Sequence, residues 1–265
     1  MTQQYKDILY EVRNGVVRVT INRPEVYNAF RNQTLEELID ALRRADEEKS
    51  ANVMVLTGAG DKAFCTGGDQ KVHNNEGGLY GPRGTIGMPI EEMQTALRDL
   101  RKVSIARVQG FAIGGGNVFA TLCDLTLASE KAMFGQVGPK VGSVDPGWGT
   151  AYLARIVGEK KAREIWFLCR RYSAAEAEKM GLVNKVVPHD QLDAEVDQWC
   201  KEINEMSPTA LAIAKRSFNA DSENIRGVSF MGIQTVKHYY QTEESREGVK
   251  AFNEKRKPDF KKYVS

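Results

Sequence analysis

Residues 105–120 read IARVQGFAIGGGNVFA, which joins a buried strand to a helix through a turn of bare backbone. The apolar run Ile105–Val108 predicts the strand. A helix is predicted to begin at the glycines of residues 114–116, although each glycine destabilises a helix by roughly 0.5–1 kcal/mol relative to alanine. The backbone at this turn must therefore approach another group closely, either a packed element or a ligand.

A second glycine turn lies earlier in the chain, where residues 63–70 read AFCTGGDQ. Adjacent glycines at positions 67 and 68 let a backbone N–H approach a ligand with no side chain in between. A helix predicted to begin here adds partial positive charge, which suits an anion; a plain turn is the alternative. One N–H from each of the two turns could meet at a single oxygen, an arrangement that stabilises an enolate or a tetrahedral oxyanion.

A third glycine-rich stretch, residues 134–149, reads FGQVGPKVGSVDPGWG. Ser143 and Asp145 are two positions apart in this stretch, so their side chains can point the same way and share a proton-transfer network. Local turns built on serine and aspartate side chains are the structural alternative. The stretch is therefore a candidate source of acid–base groups for the two glycine turns.

Strand and helix patterns divide the chain into an α/β part and a helical part. Alternating residues predict strands at Ile8–Val12 and Val16–Ile21, and the Asn14-Gly15 pair between them predicts a hairpin. Further strands and helices alternate through the first half, with a long loop at residues 58–88. Later helices are predicted at Ala151–Cys169, Ala174–Met180, Leu192–Ile203, Pro208–Asn219 and Val228–Lys255. We therefore expect a core over residues 1–200 and a helical region over residues 201–265.

The composition excludes several classes of protein. The chain has 265 residues, of which 42% are hydrophobic, and its 37 Lys and Arg against 35 Asp and Glu leave a net charge of +2, too small to draw it to nucleic acid or membrane. The most apolar region, residues 105–128, contains Arg107 and Asp124, which a membrane would leave without water. The widely spaced cysteines are typical of reduced thiols in the cytoplasm, and no histidine or cysteine spacing fits a metal site. We expect a cytoplasmic, metal-free protein.

Several segments, taken in order, resemble the crotonase (enoyl-CoA hydratase/isomerase) superfamily. They are Ile21–Pro24, Asn28–Phe30, Phe64–Asp69, Gly114–Gly116, Cys123–Leu125 and Gly181–Val187. The resemblance implies an α/β fold, a crotonase-type spiral of β-β-α units, with a helical C-terminal region that trimerises, commonly into a hexamer of two trimers. It also implies an acyl-CoA substrate whose thioester oxygen is bound by the backbone amides of Gly68 and Gly115.

Two departures narrow the reaction that the resemblance implies. Hydratases of the superfamily carry glutamates where this chain has Val118 and Gly138, neither of which can move a proton. The closer likeness is to two other groups, the 2-ketocyclohexanecarboxyl-CoA hydrolases, which open a ring, and the 1,4-dihydroxy-2-naphthoyl-CoA synthases, which close one. The segments that resemble the hydrolases are residues 142–147, 207–218 and 244–250, and those that resemble the synthases are residues 70–72 and 166–170. This balance favours ring opening of a cyclic β-ketoacyl-CoA in the anaerobic degradation of aromatic and alicyclic acids.

The resemblance also assigns roles to individual residues. In the hydrolase interpretation Asp145, paired with Ser143, activates water, and Tyr80 or Tyr240 protonates the enolate. The residues expected to contact CoA or substrate are Thr66, Asp69, Gln70, Lys71 and Lys255. The pocket expected to hold a bicarbonate or another small anion is formed by Gln136, Gly138 and Trp166. No tightly bound cofactor is expected, because CoA enters as part of the substrate.

A binding protein is the alternative from a different class, because some members of the superfamily bind RNA. The net charge of +2 and an aromatic content of 8% leave little for phosphate contacts or base stacking. We therefore expect the partners to be an acyl-CoA substrate and further copies of the chain, with no nucleic acid and no membrane.

Overall fold

The computed structural model describes residues 5–76 and 78–264. The strands of these residues form two β-sheets, one of six strands and one of four. The strands are β1 (Ile8–Arg13), β2 (Val16–Ile21), β3 (Val53–Gly58), β4 (Ala63–Cys65), β5 (Val103–Val108), β6 (Phe111–Ile113), β7 (Leu125–Ser129), β8 (Met133–Gly135), β9 (Arg171–Ser173) and β10 (Lys185–Val187). The helices are α1 (Asn32–Glu47), α2 (Gln70–Asn75), α3 (Ile90–Asp99), α4 (Gly115–Leu122), α5 (Leu153–Val157), α6 (Glu159–Leu168), α7 (Ala174–Lys179), α8 (Leu192–Asn204), α9 (Pro208–Asp221), α10 (Asn224–Tyr239) and α11 (Glu243–Asn253). None of these described helices is long and apolar enough to span a bilayer.

The N-terminal hairpin lies at the edge of the six-stranded sheet. Asn14 and Gly15 have positive φ angles of 52° and 77°, a turn geometry that matches the twist of the flanking strands. β1 pairs antiparallel with β2, with Ile8 opposite Ile21, and the other strands join in parallel in the order β2-β3-β5-β7-β10. The predicted hairpin is confirmed.

Successive strand pairs contribute one strand to each sheet. β3, β5 and β7 lie in the six-stranded sheet, and the strands that follow them, β4, β6 and β8, lie in the four-stranded sheet together with β9. α2 follows β4, and α4 follows β6, which is the repeating β-β-α arrangement of a spiral. Because β4 pairs with β6, the glycine turns that follow these two strands begin side by side.

One apolar face of α1 packs against β1, β2 and α3. Leu35, Leu38, Ile39 and Leu42 lie on this face at helical spacing, and all four are buried. Full burial of each such side chain stabilises the fold by about 1.5–3 kcal/mol. The hydrophobic periodicity of this segment therefore predicts both its helix and the face that it buries.

Two long helices predicted in the C-terminal part are each divided. Within residues 151–169, Gly158, with a φ of 81°, separates α5 from α6. Within residues 228–255, α10 and α11 are separate helices, and Thr242 begins the second one by accepting a hydrogen bond from the Ser245 amide. Apolar residues recur at helical spacing on both sides of each break, so the periodicity concealed the breaks.

Short elements also escaped the sequence patterns. The predicted loop at residues 58–88 contains β4, whose 3 residues are too few for a periodic pattern, and the 6-residue helix α2, of which only the start was indicated, by the glycine turn at residues 67 and 68. The expected division between residues 200 and 201 falls inside α8, whose Val196 and Cys200 are buried with Val53 and Ile105. By packing, α8 belongs to the sheet that precedes it.

Candidate active site

The backbone amide of Gly68 is held in place by a short bridge to Phe30. The Phe30 amide donates to the Gly67 carbonyl oxygen at 2.8 Å, and the Phe30 carbonyl oxygen accepts from the Asp69 amide at 2.9 Å. The carbonyl of Gly67 and the N–H of Gly68 belong to one trans peptide and point in opposite directions. The Gly68 N–H is therefore directed away from Phe30, and it has no acceptor among the described residues.

The backbone amide of Gly115 lies at the first position of α4. The Gly114 carbonyl oxygen accepts from the Val118 amide at 3.1 Å and so points into the helix. By the same peptide geometry, the Gly115 N–H points out of the helix N-terminus, where the helix dipole adds partial positive charge. Within the part of the chain that the structure describes, this N–H also has no acceptor.

The two glycine turns touch each other. A β-carbon built on Gly67 would lie 3.0 Å from the Gly115 nitrogen, and one built on Gly115 would lie 3.4 Å from the Gly67 α-carbon. A β-carbon on Gly116 would lie 2.0 Å from the Cys65 carbonyl oxygen, so alanine does not fit there. The close approach predicted from the glycines is a packing contact, and it places the turn that carries the Gly68 amide against the Gly115 nitrogen.

Tyr80 covers Gly68 with its phenol ring. A β-carbon on Gly68 would lie 2.6 Å from the Tyr80 hydroxyl oxygen, so only glycine fits beneath the ring. The Gln70 side chain donates to the same hydroxyl at 3.1 Å. Burial raises the pKa of Tyr80 well above its usual value of 10.0, so the phenol keeps its proton at neutral pH. A protonated phenol over Gly68 can donate to an oxyanion or deliver a proton.

Ser143 and Asp145 have different hydrogen-bond partners. The Ser143 hydroxyl lies 2.7 Å from the Tyr240 hydroxyl, whereas Asp145 accepts from the Gln94 side chain at 2.8 Å and from the Gly149 amide at 3.0 Å. The direct Ser143–Asp145 pair that the sequence predicted is therefore corrected. Burial raises the pKa of Tyr240 to about 12, and the charge of Asp145 adds to the rise.

The carboxyl of Asp145 has the environment of a general base. Burial raises its pKa from 3.8 to about 6, and the hydrogen bonds from Gly149 and Gln94 oppose that rise because they stabilise the charged form. At neutral pH the carboxyl is ionised and its pKa lies close to the pH, which is the condition for efficient proton abstraction.

Val118 and Gly138, the positions at which hydratases carry glutamates, offer no acid–base group. Val118 is fully buried. A β-carbon on Gly138 would lie 2.5 Å from the Ser143 carbonyl oxygen and 2.9 Å from the Trp166 ring. The backbone and the indole together leave no room for a side chain at position 138, which is the physical reason for its glycine.

The predicted anion pocket retains one buried donor, Gln136. Its side-chain nitrogen has no hydrogen-bond partner within residues 5–76 and 78–264. The Trp166 indole N–H, in contrast, donates to the Gly149 carbonyl oxygen at 2.5 Å, so it is not available to an anion. Trp166 therefore contributes a ring wall beside Gly138 and holds Gly149, whose amide donates to Asp145.

Lys71 and Lys255 are exposed on elements that pack together. Lys71 lies on α2 and Lys255 follows α11, and the Asn253 side chain at the end of α11 donates to the Gln70 carbonyl oxygen at 3.2 Å. Two ammonium groups from distant parts of the sequence are thus on neighbouring elements, where phosphates can accept charge-assisted hydrogen bonds. Thr66, ahead of the glycine turn, donates to the Tyr27 carbonyl oxygen.

Asp69 is engaged in buried contacts and is not free to contact a ligand. One carboxylate oxygen accepts from Arg23 at 3.1 Å, and the other caps α2 by accepting from the Lys71 amide at 3.1 Å. Its predicted role in substrate contact is therefore corrected. Asp69 joins the glycine turn to α2 and ties both to the N-terminal part of the chain.

We expect Asp69→Asn to destabilise the protein by about 2 kcal/mol, because it removes the charge of the nearer of two carboxylates at the buried Arg23 guanidinium, the other being Asp7. Urea unfolding should show this as a lower midpoint at an unchanged slope. Glu159→Gln, which removes an exposed pair with Arg163, is the control and should cost less than about 1 kcal/mol. Equal effects of the two substitutions would contradict the structural role of Asp69.

Sequence reasoning missed two side chains at the site, Gln94 and His73. Gln94 donates to Asp145 across 51 positions of the chain, and His73 stacks on Tyr80. Gln94 lies on α3 among residues that a helical pattern explains, and His73 is one of three scattered histidines. Neither residue carries a local signal, because its role depends on which element packs against it.

The described surface also contains a groove of about 540 Å³, which is lined by other residues. It is bounded by the end of α1, the start of β5 and the start of α9, including Glu48, Arg101 and Lys102. None of the candidate site residues lines it. Groove size therefore does not identify the reactive centre of this chain.

Comparison with known proteins agrees with the fold. The family model for enoyl-CoA hydratase/isomerase matches residues 11–263. An enoyl-CoA hydratase from Mycobacterium avium subsp. paratuberculosis K-10 is 29% identical with a TM-score of 0.85, over 97% of this chain and 99% of that one. An enoyl-CoA hydratase/isomerase from Pseudoalteromonas atlantica T6c is 27% identical with a TM-score of 0.86, over 96% and 100%. A carnitinyl-CoA hydratase from Mycobacterium avium is 28% identical with a TM-score of 0.84, over 98% and 100%.

These matches confirm the predicted crotonase-type α/β fold. They cover both sheets and the C-terminal helices, so the similarity extends beyond the glycine turns to nearly the whole chain. The chain therefore belongs to the enoyl-CoA hydratase/isomerase (crotonase) superfamily, as an enzyme that acts on an acyl-CoA.

Proposed function

We propose that the enzyme opens the ring of a cyclic β-ketoacyl-CoA by hydrolysis, with 2-oxocyclohexanecarboxyl-CoA as substrate and pimeloyl-CoA as product. The observation that carries the proposal is the contact between two glycine turns whose amides, of Gly68 and Gly115, have no acceptor among the described residues. An ionised Asp145 at a site without hydratase glutamates supports hydrolysis over hydration. The substrate belongs to the anaerobic degradation of aromatic and alicyclic acids.

The reaction begins when Asp145 removes a proton from water and the hydroxide adds to the ring ketone. The tetrahedral adduct breaks the bond between the former ketone carbon and Cα, and the electron pair of that bond enters the thioester as an enolate. The amides of Gly68 and Gly115 bind the enolate oxygen. They accelerate the reaction because the negative charge develops only as the bond breaks.

Either of two tyrosines can supply the proton that Cα receives. Tyr80 lies over Gly68, and Tyr240 is hydrogen-bonded to Ser143. Burial keeps both phenols protonated at neutral pH. The proton that Asp145 takes from water replaces the one that a tyrosine gives to Cα. The overall reaction therefore consumes one water and forms a terminal carboxylic acid, which releases its own proton to solvent.

Ring closure is the second candidate, because the same groups can form a carbon–carbon bond. An enolate held by Gly68 and Gly115 would attack an acyl carbonyl, as in 1,4-dihydroxy-2-naphthoyl-CoA synthesis. The side-chain nitrogen of Gln136 favours this candidate, since it can donate to a bicarbonate bound beside Gly138. The identity of the CoA ester distinguishes the two reactions.

Product mass after incubation with each CoA ester tests the proposal. We expect 2-oxocyclohexanecarboxyl-CoA to gain the mass of one water and o-succinylbenzoyl-CoA to remain unchanged. Loss of water from the second ester alone would support ring closure instead.

An RNA titration at several salt concentrations tests the binding-protein alternative, because affinity for phosphates falls steeply with salt. Salt-sensitive RNA affinity without affinity for CoA would reject both reactions.

Further copies of the chain are the proposed partners of the C-terminal helices. Phe218 and Ile213 on α9 are 77% and 66% exposed, and Met231 on α10 is 76% exposed. Apolar surface of this kind is typical of a protein interface. A trimer, or a hexamer of two trimers, would cover it.

Lys71 and Lys255 are the proposed contacts of the CoA phosphates.

Sedimentation velocity tests the proposed assembly. We expect the wild-type chain to sediment as a trimer or hexamer and the double variant Phe218→Glu/Met231→Glu to sediment as a monomer, because buried charges without partners destabilise an interface. Leu9→Glu changes an exposed apolar side chain on β1 and should leave the assembly intact. A monomeric wild-type protein would contradict the proposal.

A further inference from the structure

His73 lies between the two tyrosines, and it is fully buried. It belongs to α2, the six-residue helix that follows the glycine turn of residues 67 and 68, and its amide donates to the Asp69 carbonyl oxygen at 3.1 Å. Its imidazole is therefore tied to the position of Gly68 through a short, capped piece of backbone.

The ring nitrogens of His73 have distinct roles. Nε2 lies 2.7 Å from the Gly78 carbonyl oxygen, which can only accept, so Nε2 carries the proton. Nδ1 then carries a lone pair, and it has no partner among the described residues. Burial lowers the pKa of His73 to about 4, so the ring is neutral at every pH near neutrality. The ionisable groups around it are the phenols of Tyr80 and Tyr240 and, at the start of α2, Asp69.

The imidazole contacts both phenol rings more closely than they contact each other. The His73 and Tyr80 rings are parallel within 2°, with centroids 4.5 Å apart, and the Tyr240 ring lies 4.5 Å away at an angle of 58°. The two tyrosine centroids are 6.3 Å apart. One ring thus joins the phenol over Gly68 to the phenol that is bonded to Ser143.

We propose that His73 is a positioning residue, a neutral imidazole that orients Tyr80 over Gly68 and Tyr240 beside Ser143 by ring stacking and not by proton transfer. The inference rests on the proposed function, since it concerns the groups that protonate the enolate. Displacement of a reacting group by about 1 Å can cost 100-fold in rate, so the loss of the stack should appear in kcat.

Two substitutions separate the ring from its hydrogen bond. His73→Phe keeps an aromatic ring but loses the N–H, whereas His73→Gln keeps an N–H donor for the Gly78 carbonyl but loses the ring. We expect His73→Gln to lower kcat by about 100-fold with KM changed less than about 3-fold, and His73→Phe to retain kcat within about 5-fold. The acid limb of the pH–rate profile should be unshifted in both variants. His238→Gln, at an exposed position of α10, is the control.

Three results would overturn the inference: equal losses in the Phe and Gln variants, a greater loss in Phe, or full activity in Gln. The near-ultraviolet circular dichroism of the tyrosines provides a readout that needs no substrate. It should weaken in the Gln variant and persist in the Phe variant. If the wild-type enzyme fails to open the ring, the proposed function fails, but this signal still decides the role of His73, because an unchanged spectrum in the Gln variant rejects it.

Discussion

Replacing Asp145 with asparagine should reduce turnover of 2-oxocyclohexanecarboxyl-CoA by about 100-fold or more while affinity for the CoA ester survives. Asparagine keeps the shape of the side chain. Its oxygen can still accept from the Gly149 amide, and its NH2 group can donate to the side-chain oxygen of Gln94 when that amide turns over, but it cannot take a proton from water. The loss should therefore appear in kcat and not in KM. Steady-state kinetics and a direct binding titration measure the two quantities separately.

The pH dependence of the wild-type enzyme reports on the same carboxyl. Burial raises the pKa of Asp145 to about 6, so the base is ionised above that pH and protonated below it. We expect kcat/KM to fall by about tenfold per pH unit below pH 6 and to level off above it. The residual activity of the Asp145→Asn enzyme should lack this limb.

An exposed aspartate provides the control for both measurements. Asp190, which follows β10, is exposed, and Asp190→Asn should change neither kcat nor the pH profile. Full activity in the Asp145→Asn enzyme would remove Asp145 from the mechanism. An acid limb that persists in that variant would assign the limb to another group.

Gly68→Ala should lower kcat by about 100- to 1000-fold, the usual loss when one oxyanion donor is removed. The added methyl group would lie 2.6 Å from the Tyr80 hydroxyl oxygen, and Tyr80 is buried beneath neighbouring rings. The glycine turn must therefore move, and it carries its amide away from the amide of Gly115. Affinity for the acyl-CoA should change far less than kcat, because the amide acts on charge that develops during the reaction.

Gly227→Ala is the matched control for this substitution. A β-carbon at Gly227 meets no atom within 4 Å, and the residue lies inside α10. Alanine there should leave kcat unchanged and stabilise the protein by about 0.5–1 kcal/mol, since glycine is the poorer helix former. If the Gly68→Ala enzyme were as active as the control, the amide of Gly68 would have no part in catalysis and the proposed reaction would fail.

The sequence predicted those parts of the fold that local patterns encode. Asn14-Gly15 specified the hairpin because both residues tolerate the positive φ angles of its turn. Leu35, Leu38 and Leu42 specified the buried face of α1 through helical spacing. The three-residue strands β4 and β6 were missed, since so short a segment has no measurable period. Their pairing nevertheless places the two glycine turns side by side.

The same distinction between local sequence pattern and packing applies to the candidate site. Glycine at positions 68, 115 and 138 is a property of the sequence, and it marks where backbone must stay bare. Which group occupies that bare space is decided by packing: the Tyr80 hydroxyl over Gly68, and the Trp166 ring against Gly138. The roles expected for Asp69 and for the Ser143–Asp145 pair were changed for the same reason, because each side chain found a partner on another element.

By itself the sequence determined the kinds of group available: bare amides, a carboxyl in a glycine-rich loop, phenols, and no glutamate at the two hydratase positions. Only the tertiary structure decided which of them meet. Local conformational preferences extend over a few residues, whereas Gln94 reaches Asp145 across 51 positions and Ser143 reaches Tyr240 across 97. Contacts at such separations depend on how whole sheets and helices pack, and so do the pKa values that burial raises.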